Sequence, residues 1–299
     1  MRGCYGNLGP IFLVIGSLFV YFVGIWLNWK VICGLCLIVP IFDLFCILFV
    51  PESPVVTKMR EERISNRTIF HLKYLKGIFL SFLIVFFSEF SGKSAVMANL
   101  NPIFISSNIR LPATVASTIV VCSTLFSTLL VTPLLDRIGR KMIWIISSFG
   151  SALNVFLLWA NEEYLLSPSV PIVCLFFYMF FNGLGLNPLP FVIIPELFPD
   201  EVRSSGMGAA QALNWFLCSV NVFSFRFMTN KIKLEWTYFL YAIIMVLSGF
   251  FGIFLLPEMK RKMMAEKKSS KKTVEKKTEN MEDLKDESNN KENIMFSPL

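Results

Sequence analysis

The chain has 299 residues, 55% hydrophobic and 16% charged, with 31 phenylalanines, a single histidine and a net charge of +7. A soluble domain keeps a largely polar exterior, so this composition excludes one and describes a chain that meets lipid over much of its surface. Basic residues interleaved with aromatics are lacking outside the apolar runs, so the positive charge reports membrane topology and no nucleic-acid partner is expected.

Eight predominantly apolar runs approach the roughly 20 residues that cross a bilayer. They cover about residues 8–27, 31–50, 77–105, 113–135, 142–161, 168–195, 206–229 and 234–256. The expected fold is therefore all-α, a polytopic membrane helix bundle with about eight transmembrane helices. The first run is too long for a cleavable signal and lacks a small-residue exit site, so no cleavage is expected. Cys33 and Cys36 form a C-x-x-C in the second run, without a second pair or a histidine cluster, and read as plain buried thiols.

The loop after the second run, residues 51–76, carries Lys58, Arg60, Arg63, Arg67, Lys73 and Lys76. Arg137, Arg140 and Lys141 follow the fourth run, Arg203 the sixth, and Lys260, Arg261 and Lys262 the eighth, while the alternate loops hold fewer cations. Cations concentrate on the cytoplasmic side, which predicts an integral membrane protein with both termini cytoplasmic. The sequon Asn66-Arg67-Thr68 lies in the most basic loop and is expected to be unmodified. His71 in the same loop reads as a surface residue.

The third run holds two ionisable residues, Glu89 and Lys93. Four residues apart, they share a helical face and are able to pair. Charge inside a membrane span points to function, either recognition of an altered solute or proton coupling. The alternative is a self-neutralised pair facing a wet cavity.

Asp136-Arg137-Ile138-Gly139-Arg140-Lys141 joins the fourth and fifth runs. So much charge belongs at a membrane surface, and Gly139 permits a sharp turn there. A loop this short predicts that its two helices are antiparallel neighbours. The sixth run contains Gly183-Leu184-Gly185-Leu186-Asn187-Pro188-Leu189-Pro190-Phe191 and then Pro195-Glu196-Leu197-Phe198-Pro199. Prolines free backbone carbonyls, which a membrane tolerates only where the helix faces protein or water. Broken helices of this kind mark solute sites in transporters, with a packing kink as the alternative. From about Lys260 the composition turns to Lys, Glu, Ser, Asn and Thr, and a disordered charged tail over 258–299 is expected.

These pieces, in this order, carry a resemblance. Arg2-Gly3, Pro51-Glu52-Ser53-Pro54, Phe90-Ser91-Gly92, Asp136 to Lys141, the Gly-Pro-Pro-Glu-Phe-Pro run with Arg203, Asn214-Trp215 and Pro257-Glu258-Met259-Lys260 resemble the sugar porter family of the major facilitator superfamily. That family contains the animal glucose facilitators and insect trehalose transporters. The resemblance implies transport of a sugar, a hexose or a trehalose-like carbohydrate, by alternating access; no enzymatic activity and no cofactor or metal are expected. It also implies a plasma-membrane location, with the bilayer and a small-molecule solute as partners.

Family members have twelve spans, and the eight read here match the fifth to the twelfth. Residues 1–50 then correspond to the two last helices of the N-terminal bundle, 51–76 to the central cytoplasmic loop and 77–257 to the C-terminal six-helix bundle. A missing N-terminal half is expected, and with it an alternative reading: a truncated or degenerate, non-transporting membrane protein with an interaction or sensing role. By motif position the resemblance places Ser88, Glu89, Lys93, Ser94, Asn187, Phe191, Asn214 and Trp215 at the solute cavity. Ser88, Glu89 and Ser94 stand where the family carries amides, Phe191 where it carries tryptophan, and Pro10 where a glutamine is expected. Asp136, Arg137, Arg140, Glu196 and Arg203, with Glu52 and Glu258, match the charges that latch the cytoplasmic side in the family.

Overall fold

Within hydrocarbon a spanning segment must satisfy its own backbone groups, and all regular structure among the described residues is helical. A computed structural model of the protein describes residues 8–51, 74–107, 109, 111–164, 167–199 and 202–256. In chain order the helices are α1 Leu8–Val23, α2 Trp29–Ile47, α3 Leu75–Glu89, α4 Lys93–Ala98, α5 Leu100–Ser106 and α6 Ala113–Arg137. They continue with α7 Arg140–Tyr164, α8 Val170–Leu184, α9 Leu189–Leu197, α10 Arg203–Ile232 and α11 Leu234–Phe254. Asn66, His71, Glu52, Glu258 and the tail lie outside the described residues, as does the side chain of Asp136.

Among the described residues, six stretches are long and apolar enough to cross a bilayer: Trp29–Ile47, Leu75–Ala98, Ala113–Leu135, Arg140–Tyr164, Val170–Leu197 and Leu234–Phe254. The other two expected spans form helices with different character. Helix α1 has 16 residues, about 24 Å at 1.5 Å per residue and short of a roughly 30 Å hydrocarbon core. Helix α10 has 30 residues, but Gln211, Asn214 and Asn221 dilute its apolar face.

The expectation that α6 and α7 are antiparallel neighbours holds only near their turn. They touch little beyond their turn, and each packs instead on α8, while α7 also lies along α11 and α6 along α1. Small polar residues decide this. Ser123 of α6 donates to the Phe176 carbonyl at 3.0 Å, Ser147 of α7 donates to the Phe181 carbonyl at 2.6 Å, and Asn182 of α8 donates to Ser151 at 3.0 Å. Small side chains let helix backbones approach, and hydrogen bonds across the seam replace the hydrophobic force that lipid cannot supply. On the other flank of α7, Trp144 donates to the Ser248 carbonyl at 3.1 Å and Ser148 meets Ser248 at 3.1 Å.

Helix α2 is apart from this packing: none of its residues is buried. Cys33 and Cys36 are accordingly exposed on it, Cys46 is half-buried, and of the described cysteines Cys174 alone is buried. The reading of Cys33 and Cys36 as buried thiols is corrected: an apolar span places a thiol at membrane depth without burying it among the packed helices.

Both families of helix break sit beside one another. The sixth run breaks between α8 and α9, as its prolines predict. The third run breaks twice, at 90–92 and at Asn99, where a single helix was expected. Gly92 adopts φ 86°, and a Cβ there would lie 2.7 Å from the Tyr241 ring. Only glycine meets both conditions without strain.

Candidate functional site

The two breaks enclose a cavity of about 150 Å³. Its wall includes Glu89, Lys93, Ser94, Asn187, Phe191, Asn214 and Trp215, together with Pro10 of α1. The sequence positions are thus gathered from α3, α4, the α8–α9 connection, α9 and α10. Ser88 is the one candidate behind the wall, completely buried, where its hydroxyl donates to the Leu186 carbonyl at 2.6 Å. That bond satisfies a carbonyl freed by the α8–α9 break.

Glu89 and Lys93 form the expected pair, with 3.2 Å between Glu89 Oε1 and Lys93 Nζ. The pair is asymmetric: the Lys93 side chain is 14% exposed and that of Glu89 2%. Ser94 donates to Glu89 Oε2 at 2.8 Å, so both carboxylate oxygens have partners. Lys93 also donates to Asn187 Oδ1 at 2.9 Å and to Ser88 Oγ at 3.3 Å. Its three ammonium protons thereby bridge α3, α4 and the proline break of α8–α9.

A second layer holds the break in place. Asn221 donates its side-chain amide to the Glu89 carbonyl, and Tyr241 donates to Asn221 Oδ1 at 2.8 Å. Tyr178 donates to the Ser91 carbonyl at 2.9 Å, and Ser91 donates to Asn182 Oδ1 at 3.2 Å. Every one of these side chains is buried. The sequence reading missed Asn182, Asn221, Tyr178 and Tyr241. A signal existed for Asn221, which lies seven residues beyond Asn214 and so on the same face of α10.

Asn214 differs from the other amides. It is 8% exposed, lines the cavity, and no hydrogen bond of its side chain occurs among the described residues. Beside it Trp215 is 56% exposed and Phe191 is half-buried. This wall offers one uncommitted amide flanked by aromatic faces, suited to a hydroxyl group and to the apolar face of a ring.

At the other end of these helices, Arg140 Nη2 and Glu196 Oε1 pair at 3.1 Å, joining the start of α7 to α9. The Arg140 side chain is 2% exposed. Arg203 Nε donates to the Pro195 carbonyl at 2.9 Å and so serves a carbonyl left open in the last turn of α9, where Pro199, four residues on, has no N–H to offer. Arg137 lies in the last turn of α6 and is exposed. Lys141, unassigned by the sequence, donates to the Ile253 carbonyl at 2.6 Å and caps the C-terminal end of α11.

Comparison with known proteins agrees with this architecture. A facilitated trehalose transporter of Bombyx mori is 24% identical over 309 residues, covering 89% of this chain and 61% of its own length. Trehalose transporter 1 of Drosophila melanogaster is 26% identical, with 88% of this chain and 36% of that protein covered. Among solved structures, the proton:xylose symporter XylE bound to 6-bromo-6-deoxy-D-glucose superposes with a TM-score of 0.75 at 19% identity, over 87% of this chain and 65% of that one. The inward-open xylose transporter from E. coli gives 0.67 at 21% identity. The chain therefore spans under two thirds of the length of these relatives, and the structural likeness shows a shared fold. The family model for sugar (and other) transporters matches residues 55–270, and the chain belongs to that family, an integral membrane protein built as a partial major facilitator superfamily bundle.

Proposed function

We propose that the protein carries a small hydroxylated solute of the sugar class across a membrane, by alternating access around the cavity between the α3–α4 and α8–α9 breaks. The observation that carries this reading is the meeting of both helix breaks at one cavity with an uncommitted amide, Asn214, on its wall. Broken helices leave polar backbone and side chains at membrane depth, which is stable only around a site that meets polar groups. The relatives' names, a trehalose and a xylose transporter, support sugar as the solute class.

Within that class the solute is a hexose or a trehalose-like carbohydrate. Residues 1–50 act as the last two helices of an N-terminal bundle and 77–257 as the C-terminal bundle. The Arg140–Glu196 pair, with Asp136, Arg137 and Arg203, latches the cytoplasmic end of the cavity. Both termini face the cytoplasm, and the plasma membrane is the site of action. Counterflow of labelled glucose, xylose and trehalose into liposomes containing the full chain tests the reading. Uptake of one of these sugars that falls on Asn214→Ala supports it, and absence of uptake and binding for all three refutes it.

A further inference from the structure

We propose that Lys93 makes this cavity selective for an acidic sugar, a single hydroxylated ring bearing a carboxylate, over the neutral sugar of the same size. This rests on the reading of the cavity as the solute site. Among the described residues, Glu89 and Lys93 are the two charged residues of the cavity wall, and they are not equally exposed. Glu89 is 2% exposed and both its oxygens are engaged, by Lys93 and by Ser94. The Lys93 side chain is 14% exposed, so it is the member of the pair that a solute reaches first.

The partners of that ammonium set the preference. One is the Glu89 carboxylate; the other two are neutral, Asn187 Oδ1 at 2.9 Å and Ser88 Oγ at 3.3 Å. A sugar hydroxyl that took the place of Asn187 would exchange one neutral acceptor for another, with little gain. A carboxylate in that place makes a charge-assisted bond, about twice as strong as a neutral one. At a side chain only 14% exposed, water screens the exchange less than it would at the surface.

The rest of the wall fits the same molecule. Asn214 is the uncommitted amide for a ring hydroxyl, and Trp215 and Phe191 present aromatic faces for the body of the ring. Asn187 lies in the connection between α8 and α9. A solute carboxylate that displaces it from Lys93 also releases the bond joining α4 to that connection, so binding the acid loosens the broken helix.

Equilibrium binding to the full purified chain in lipid nanodiscs tests this with three probes: glucuronate, its neutral amide glucuronamide, and glucose. Glucuronate is expected to bind about tenfold tighter than glucuronamide, the worth of one charge-assisted hydrogen bond. Lys93→Met is expected to abolish that ratio. Glu89→Gln, which removes the competing carboxylate, is expected to raise it. A purely structural ion pair would weaken all three probes together in both variants. The comparison of the two glucuronic probes on the wild-type chain stands even if a variant fails to fold. Equal binding of glucuronate and glucuronamide, or a preference that survives Lys93→Met, overturns the role of Lys93 and leaves the solute-site reading intact. Failure of all three probes to bind overturns both.

Discussion

Replacement of Gly92 by alanine is the sharpest test of how the third span is built. Gly92 adopts φ 86°, where a non-glycine residue costs about 1–2 kcal/mol. A Cβ there would also lie 2.7 Å from Tyr241 Cδ2 and 2.8 Å from Cε2. Tyr241 cannot simply swing aside, because its hydroxyl is held by Asn221 at 2.8 Å and its ring is 2% exposed. Overpacking of this kind adds about 1–3 kcal/mol, for a total of about 2–5 kcal/mol. Reversible unfolding in SDS, read as tryptophan fluorescence, measures the cost. The two contributions separate in a double-mutant cycle: in a Tyr241→Ala background the clash is gone and Gly92→Ala costs about 1–2 kcal/mol. A loss below about 0.5 kcal/mol in the wild-type background, the level of an unremarkable surface change, would refute the reasoning. So would a cost that Tyr241→Ala leaves unaltered.

Glu196→Gln leaves Arg140, 2% exposed, without its carboxylate. Because Glu196 itself is 21% exposed, the loss is expected at about 1–3 kcal/mol rather than the full cost of breaking a buried pair, by the same unfolding assay. Tyr178→Phe removes the bond to the Ser91 carbonyl and is expected to cost about 1 kcal/mol, the usual worth of a hydrogen bond inside a membrane protein. Asn214→Ala is expected to change stability by less than about 0.5 kcal/mol, since its side chain has no described partner, while weakening sugar binding measured by calorimetry.

Much of the architecture was legible in the residues because a membrane leaves few choices. Long apolar runs had to be helices, and the prolines of the sixth run had to interrupt one. The Glu89–Lys93 pair followed from spacing alone, since residues four apart share a helix face. The pairing of Arg140 with Glu196 rested on the family resemblance, as no local pattern joins residues 56 apart. Other features were out of reach for physical reasons. The short Asp136–Lys141 loop fixes where α6 and α7 meet, but which faces pack is decided by Ser123, Ser147 and Ser151 meeting α8. Gly92 in an apolar run resembles any other glycine until Tyr241, 149 positions on, crowds it. Lys93 reaching Asn187 likewise depends on two breaks facing each other, which no spacing encodes. Apolarity could not distinguish lipid from protein as a neighbour, so the surroundings of Cys33 and Cys36 were misread.

The central claim is that a sugar-class solute occupies the cavity between the two helix breaks. Cys218 lines that cavity and is half-buried, so it reports occupancy directly. In a variant that keeps Cys218 as its only cysteine, the rate of maleimide labelling is measured with and without saturating glucose, xylose, glucuronate and trehalose. The account predicts that at least one of these compounds slows labelling, and that Asn214→Ala abolishes the protection. An unchanged labelling rate with every compound, in a chain shown to be folded, would contradict it.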